Sequence, residues 1–238
     1  MPEPGTLVAI VDYGMGNLFS VTRACEQVGL AAQVSSDRDV ILGAAAVILP
    51  GVGAFGVAME NLARLNLIEA LREAAGSGRP FVGICLGMQL LMTESSEFGR
   101  HRGLGLIEGD VVPLGPYEKQ ADRLVKIPHV GWNRIQALRG SEMPNAWQGS
   151  LLDGLPDSEF MYFVHSLYCR PLDAGVMLSH TRYGNTEFCS SLVRDNVFGC
   201  QFHPERSGPA GLTMYRSLAV KLGRTTADRV RGSEVPRC

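Results

Sequence analysis

Residues 81–92 read Phe-Val-Gly-Ile-Cys-Leu-Gly-Met-Gln-Leu-Leu-Met and contain a junction between two kinds of secondary structure. Residues 81–84 predict a buried strand, and the residues from Met88 onward predict the first turns of an amphipathic helix. Cys85 lies between them, with Gly83 and Gly87 two residues away on either side. A residue on such a sharp strand-to-helix turn holds its side chain above the sheet, which is the geometry of a nucleophile elbow.

Cys85 at this junction has the surroundings of a reactive thiol. The unpaired N–H groups and the dipole of a helix N-terminus favour a thiolate, and the N–H of Leu86 points to where an oxyanion would form. A cysteine in an apolar run is more often an inert core residue. The flanking glycines favour the elbow, because a core helix gains nothing from them while an elbow needs their backbone clearance. The stretch therefore predicts acyl transfer through a cysteine thioester.

A base for this thiol is found in the second half of the chain. His203 follows the apolar residues 197–200, which predict a strand, and Glu205 comes two residues later. His203 can take the thiol proton and return it to a leaving group, while Glu205 holds the tautomer and orientation of the imidazole. The His-x-Glu pattern is a weak indicator alone and a strong one beside a cysteine elbow.

Composition excludes several classes of function. Of 238 residues, 45% are hydrophobic and 19% charged, and 22 basic against 24 acidic residues give a net charge of −2, which indicates no nucleic-acid partner. No apolar run is long enough to cross a membrane, and the N-terminus lacks a basic leader region. The six cysteines form no CxxC pair and the histidines have no metal-ligand spacing. We therefore expect a cytoplasmic protein with reduced thiols and no bound metal.

The order of predicted elements indicates an α/β fold. Strands and helices alternate in the first half, which predicts a mostly parallel sheet with helices on both faces. From about residue 103, shorter strands, including candidates at 125–135 and 160–168, predict antiparallel additions to the same sheet. We expect one domain over residues 1–222 and a mobile C-terminal tail over residues 223–238. Because ligands of such sheets bind at the carboxyl ends of strands, Cys85 and the turns after Val11 and Leu49 should meet at one edge.

Two glycine-rich turns and two isolated side chains permit more than one interpretation. Residues 50–54 (Pro-Gly-Val-Gly-Ala) form either a plain turn, a phosphate cradle, or a flexible strand end whose N–H near Val52 serves as a second oxyanion donor; Walker spacing is absent. Residues 12–18 (Asp-Tyr-Gly-Met-Gly-Asn-Leu) match a dinucleotide fingerprint poorly, and Asn17 suits a helix N-cap. Trp132 is either a core residue or a partner anchor, and His165 is either a sheet residue or a site residue.

The Cys85 elbow with His203 and Glu205 resembles the class I (triad) glutamine amidotransferases. Five ordered segments resemble most closely, among these, the glutaminase subunits of imidazole glycerol phosphate synthase. The segments are residues 12–18, 50–55, 126–133 (Lys-Ile-Pro-His-Val-Gly-Trp-Asn), 162–166 (Tyr-Phe-Val-His-Ser) and 201–207 (Gln-Phe-His-Pro-Glu-Arg-Ser). The resemblance runs from Val8 to about Leu222. It implies a flavodoxin-like sheet and a Cys-His-Glu triad of Cys85, His203 and Glu205.

The resemblance also implies the roles of residues around the triad. Cys85 attacks the side-chain amide of glutamine, and the N–H groups of Leu86 and of the Val52–Gly53 turn hold the oxyanion. Gln89 and Ser166 fall at positions near the bound glutamine. The reaction needs no cofactor.

A partner is implied as well. Ammonia would pass to a (β/α)₈-barrel synthase (cyclase) subunit that forms imidazole glycerol phosphate and an aminoimidazole carboxamide ribotide in histidine biosynthesis, in an allosteric heterodimer. Asn17, Trp132 and Arg206 fall at partner-facing positions. Two alternatives stay open: a paralogous triad glutaminase serving another amidation pathway, and a stand-alone cysteine hydrolase.

Overall fold

A computed structural model describes residues 7–115, 119–120, 123–138 and 147–223. The first half contains β1 (Leu7–Val11), α1 (Leu18–Gln27), β2 (Ala31–Ser35), α2 (Arg38–Gly43), β3 (Ala46–Gly51), α3 (Phe55–Arg64), α4 (Ile68–Gly76), β4 (Phe81–Cys85) and α5 (Leu86–Leu90). The second half contains β5 (Met92–Ser95), β6 (His101–Arg102), β7 (Ile107–Pro113), β8 (Lys119–Gln120), β9 (Arg123–Leu124), β10 (His129–Ala137), β11 (Ser158–His165), β12 (Leu167–Pro171), β13 (Met177–Tyr183), β14 (Thr186–Arg194), β15 (Val197–Cys200) and α6 (Gly208–Lys221). Apart from Gly223, the predicted tail lies outside the described residues.

Nine strands form one sheet in the order β11-β10-β13-β14-β15-β4-β3-β1-β2. The strands β2, β1, β3, β4 and β15 run parallel, and β14, β13, β10 and β11 continue the sheet in antiparallel fashion. The predicted α/β class, with a parallel first half and antiparallel additions, is confirmed. The central pair β4 and β15 carries Cys85 and leads to His203, so the topology alone brings these two residues to one edge of the sheet.

The parallel strands β1, β3, β4 and β15 are buried on both faces, whereas the edge strand β2 is partly exposed. In β1, Val8 and Ile10 pack into one core together with α1 and α6, while Ala9 and Val11 pack into a second core together with α3 and α4. Successive side chains of a strand point to opposite faces, so a strand that is apolar at every position requires cover on both sides. The helices of the βαβ units supply that cover.

A second sheet lies outside the predicted architecture. It has the strand order β12-β7-β5-β6 and follows directly from α5. The short helix α2 is a further element that the sequence pattern does not predict. Asp37 is its N-cap and accepts hydrogen bonds from the backbone N–H groups of Asp39 and Val40. The helix has only six residues and shows no clear apolar period, which is why the sequence pattern does not predict it.

The predicted amphipathic helix from Met88 onward is wrong in extent and in kind. α5 spans only Leu86–Leu90, and every one of its residues is buried. The carbonyls of Leu90 and Leu91 accept hydrogen bonds from the backbone N–H groups of Leu104 and Leu106, and Met92 begins β5. Tertiary pairing with the chain at residues 104–107 therefore replaces the next helical turn.

The predicted strand at residues 160–168 is two strands in two sheets. β11 ends at His165 and pairs with β10, whereas β12 begins at Leu167 and pairs with β7. Ser166 lies at the break, and its carbonyl accepts a hydrogen bond from the N–H of Leu114. Alternating hydrophobicity continues across the break, which is why the pattern alone predicts one strand. The strand predicted at 125–135 begins instead at His129.

Gly87 allows the closest backbone approach at the strand-to-helix junction. A Cβ atom on Gly87 would lie 1.7 Å from the carbonyl oxygen of Leu49. We expect Gly87→Ala to lower the free energy of unfolding by about 3 kcal/mol or more, because the backbone of β3 must move to relieve the overlap. Urea unfolding followed by circular dichroism measures this.

Gly76→Ala is the matched control. Gly76 is also in a helix, and a Cβ atom there would meet nothing within 4 Å. This substitution should leave stability unchanged or raise it slightly. Equal effects of the two substitutions would contradict the importance of the close approach.

Candidate active site

Cys85 lies on a strained backbone at the end of β4. Its φ is 55° and its ψ is −108°, a combination that non-glycine residues rarely adopt. A Cβ atom on Gly83 would lie 2.8 Å from the carbonyl oxygen of Gly87, so both flanking glycines provide the clearance that the turn needs. The strand, the sharp turn and the helix that follows have the geometry of a nucleophile elbow.

His203 and Glu205 form a buried pair next to this turn. The Nδ1 atom of His203 lies 2.8 Å from Oε1 of Glu205, and the two side chains are only 4% and 1% exposed. The N–H of His203 donates to the carbonyl of Tyr162, and Glu205 lies in the 3₁₀ turn Pro204–Arg206. With Nδ1–H directed at the carboxylate, the free Nε2 atom is the one that can exchange a proton with Cys85.

The charges around His203 favour its protonated form. Burial alone would lower the pKa of His203, but the Cys85 thiolate and the Glu205 carboxylate raise it to about 10. Among the described residues, Nε2 of His203 forms no hydrogen bond of ordinary geometry. Cys85 is nevertheless close enough to raise the pKa of His203 electrostatically. A protonated His203 beside the thiol can stabilise a thiolate, which is the reactive form of a cysteine nucleophile.

Two glutamine side chains connect Cys85 to the neighbouring elements. The Nε2 atom of Gln201 donates to the Cys85 sulfur at 3.5 Å. The Nε2 atom of Gln89 donates to Oε1 of Gln201 and to the carbonyl of Leu167, each at 3.1 Å. Sequence reasoning does not select Gln201 as a site residue. Its position two residues before His203, at the end of the same chain segment, is the signal that could have found it.

The structure also locates the two predicted glutamine-binding residues. Gln89 is buried in α5, and Ser166 is half-buried at the break between β11 and β12. Gln89 bonds to Leu167, the residue after Ser166, so the two predicted positions lie close to each other. Their contact with glutamine stays a prediction.

The predicted oxyanion donors flank Cys85 on two elements. Leu86 is the first residue of α5, so its N–H belongs to the first-turn donors that a helix leaves without an internal partner. Gly51, the last residue of β3, pairs with Cys85 in the sheet, and Val52 and Gly53 follow it. Val52 is 42% exposed and Gly53 has a φ of 110°. The turn therefore begins directly beside the thiol.

The residues predicted to face a partner lie at the same edge of the sheet. Trp132 is 57% exposed and its ring packs edge-on against Tyr162, whose other neighbour is the Arg206 guanidinium, 4.5 Å from the ring centroid. Asn17 caps α1, accepting a hydrogen bond from the N–H of Ser20, and α1 packs against the Pro204–Arg206 turn. Trp132 and Arg206 thus both contact the ring of Tyr162. Asn17 also has a structural role as the N-cap of α1.

Two buried, neutral histidines, His129 and His165, lie in contact with each other at this edge of the sheet. Nδ1 of His129 lies 3.0 Å from Nε2 of His165, and Nδ1 of His165 lies 2.8 Å from the carbonyl oxygen of Leu167. If His165 donates to Leu167, then His129 donates to His165 and its own Nε2 accepts from the amide of Asn133 at 3.3 Å. Burial lowers the pKa of His129 to about 4 and, with the nearby His129, that of His165 to about 3.

The described residues hold no group of three or more His, Cys, Asp or Glu side chains that could bind a metal ion. Within the same part of the chain, no helix has the length and apolar character needed to cross a membrane. The five cysteines that the structure describes are all unpaired thiols.

Comparison with known proteins agrees with this site. The sequence model of the family described as "Glutamine amidotransferase class-I" matches residues 9–222. The chain belongs to the class I glutamine amidotransferase family.

Individual relatives indicate which members of this family the chain resembles in sequence. The chain is 44% identical over 212 residues to the imidazole glycerol phosphate synthase subunit HisH of Syntrophotalea carbinolica, covering 89% of this chain and 98% of the relative. It is 46% identical over 220 residues to the protein of the same name from Aquifex aeolicus, covering 91% and 98%.

Solved structures support the fold. PurLQS from Thermotoga maritima superposes with a TM-score of 0.67 at 18% identity, covering 92% of this chain and 99% of that chain. A crystal structure of a glutamine amidotransferase gives a TM-score of 0.65 at 18% identity, covering 92% and 100%.

The buried histidine pair predicts a loss of stability in acid. In the unfolded chain His129 binds a proton near pH 6.5, whereas in the folded chain it does so only near pH 4. Between these values the unfolded state binds more protons, so the free energy of unfolding should fall as the pH decreases, by about 2 kcal/mol for this residue. Urea unfolding at pH 7 and pH 4.5 measures the change.

The variant His129→Gln has no titrating group at this position and should lose less stability over the same pH interval. If the wild type and the variant decline in parallel, the buried neutral state of His129 is wrong.

Proposed function

We propose that this chain is the glutaminase subunit of an imidazole glycerol phosphate synthase. It hydrolyses glutamine to glutamate and ammonia through a thioester on Cys85 and supplies the ammonia to a cyclase subunit. The observation that carries this proposal is the strained Cys85 elbow beside the buried His203–Glu205 pair. Membership of the amidotransferase family and the HisH relatives support the choice of substrate and pathway.

In the first step the Cys85 thiolate attacks the carbonyl carbon of the glutamine side-chain amide. The C=O electrons move to oxygen, and the resulting oxyanion accepts hydrogen bonds from the N–H of Leu86 and from an N–H of the Val52–Gly53 turn. A single donor of this kind contributes a factor of about 10² to 10³ in rate. As the tetrahedral intermediate collapses, the C–N bond breaks and the His203 imidazolium gives its Nε2 proton to the departing nitrogen, which leaves as ammonia.

In the second step water cleaves the thioester. Neutral His203 takes a proton from a water molecule while the water oxygen attacks the thioester carbon. The C–S bond then breaks, glutamate leaves, and the thiolate–imidazolium pair is restored. Glu205 remains ionised throughout and holds Nδ1–H, so that Nε2 is the atom that exchanges protons in both steps. The chemistry requires no cofactor.

Glutamine recognition is proposed for the neighbouring residues Gln89 and Ser166. Gln89 keeps its amide nitrogen engaged with Gln201 and Leu167, which fixes the side chain before substrate arrives. A pre-organised amide loses less entropy on binding than a free one. Ser166 has a hydroxyl on the half-exposed break between two strands, where a ligand can reach it.

The partner is proposed to be a (β/α)₈-barrel cyclase subunit that docks on the sheet edge around Asn17, Trp132 and Arg206. The exposure of Trp132, with the shared contacts of Trp132 and Arg206 on Tyr162, supports this choice, because aromatic and arginine side chains are the common anchors of interfaces. Ammonia is largely protonated near neutral pH, so direct transfer to the partner would deliver the nucleophilic form. We propose a cytoplasmic heterodimer in histidine biosynthesis.

The variant Cys85→Ala separates ammonia production from ammonia use. In a complex with the cyclase subunit, glutamine-dependent synthesis of imidazole glycerol phosphate should stop, with a loss of at least about 10³-fold. Synthesis supported by added ammonium at alkaline pH should continue at the wild-type rate, because the partner's site is unchanged. The two rates are measured side by side on the same preparation.

Cys200→Ala is the matched control, since Cys200 is a fully buried cysteine at the end of the adjacent strand β15 and is assigned no chemical role. It should keep glutamine-dependent synthesis within a few-fold of wild type. Full glutamine-dependent activity in Cys85→Ala would contradict the thioester mechanism.

A further inference from the structure

The segment of residues 12–17 packs closely against the turn that follows β3. A Cβ atom on Gly51 would lie 2.2 Å from the hydroxyl oxygen of Tyr13, and one on Gly53 would lie 2.6 Å from the Cε atom of Met15. The two segments therefore meet without space for a side chain between them. The contact with Tyr13 favours glycine at position 51, whereas the φ of 110° favours glycine at position 53. The packing also gives residues 12–17 a neighbour beside the active site.

Within this contact the Tyr13 hydroxyl makes a specific hydrogen bond. It donates to the carbonyl oxygen of Pro50 at 2.9 Å, and Tyr13 is only 1% exposed. Burial and the nearby Cys85 raise the pKa of Tyr13 above its ordinary value, so the phenol keeps its proton and remains a donor at every physiological pH. A buried hydrogen bond of this kind constrains the orientation of the peptide that accepts it.

The accepting carbonyl belongs to the peptide group that precedes the proposed oxyanion donor. Pro50 C=O is part of the Pro50–Gly51 peptide, and the next peptide carries the N–H of Val52. When the first peptide plane is held, the Val52 N–H can turn toward or away from the thiol only through the torsions at Gly51 and Val52. Gly51 tolerates such rotation because it lacks a side chain.

We propose that Tyr13 is a positioning residue for the oxyanion turn: its hydroxyl holds the Pro50–Gly51 peptide so that a local rotation at Gly51 is sufficient to direct the next N–H at the reacting oxygen. The inference rests on the proposed glutaminase reaction for its catalytic consequence, but not for the hydrogen bond itself. Tyr13 does not contact the substrate. It acts on the rate through the turn.

The hydrogen bond is tested first, in a measurement that needs no enzymatic activity. Amide hydrogen exchange is followed by mass spectrometry on the full chain, comparing wild type with Tyr13→Phe. Removal of the hydroxyl should speed exchange in peptides covering residues 50–54 about three- to tenfold. Tyr183→Phe is the matched control, because it removes another tyrosine hydroxyl that donates to a carbonyl, that of Lys126, at 2.7 Å. It should leave exchange at residues 50–54 unchanged.

The catalytic consequence is tested on the chain in complex with the cyclase subunit, in the presence of the cyclase's nucleotide. Tyr13→Phe should lower kcat for glutamine hydrolysis about tenfold and leave KM within about twofold, because the oxyanion is stabilised only in the transition state. The rate of alkylation of Cys85 by iodoacetamide should stay within about twofold of wild type. Alkylation requires the thiolate but no oxyanion donor, so this readout separates the turn from the nucleophile.

The possible results are distinct. Faster exchange at residues 50–54 with a lower kcat and normal alkylation supports the proposal. Unchanged exchange, an unchanged kcat, or a fall in alkylation that matches the fall in kcat overturns it, the last because the phenol would then act on the thiol. If the wild-type complex releases no glutamate, the glutaminase function fails, and the exchange result still decides whether Tyr13 holds the turn.

Discussion

The constraint on which this structure depends is the backbone of Cys85, held at a positive φ between β4 and α5. Such a conformation costs about 1–3 kcal/mol and persists only where the surroundings enforce it. Here the surroundings enforce it through close backbone contacts that only glycine permits at positions 83 and 87. At Gly87 the contact is with the carbonyl oxygen of Leu49. The same strain lifts the thiol above the sheet and starts a helix at the next residue, so one local geometry supplies both the nucleophile and the N–H that we propose as an oxyanion donor.

The remaining machinery comes from strands adjacent to this turn. β15 brings His203 and Glu205 from one side, and β3 brings the glycine-rich turn from the other. Because parallel strands end at a common edge, residues more than a hundred positions apart in sequence converge there without a dedicated loop. Trp132 and Arg206, which we propose as partner contacts, lie near this edge as well, because both contact the ring of Tyr162.

Much of this could be predicted from the sequence, because the triad and the elbow depend on residue types at short spacings. Cys85 between two glycines and His203 two residues before Glu205 are local patterns, and the structure brings them together. The short α5 and the break at Ser166 could not be predicted, since both result from hydrogen bonds to distant segments, at Leu104–Leu106 and at Leu114. The hydrogen bond from Tyr13 to Pro50 is also invisible in sequence, as it joins two turns that each have a plain interpretation alone.

The central claim, a glutaminase that depends on its partner, is tested most directly by measuring glutamate release from glutamine in three states. These are the chain alone, the chain with the cyclase subunit, and the chain with that subunit plus its ribonucleotide substrate. We predict negligible release by the chain alone and a steep rise when partner and nucleotide are both present. Full activity of the chain alone would contradict this and indicate an independent hydrolase, and no activity in any state would indicate a paralogue that serves a different partner.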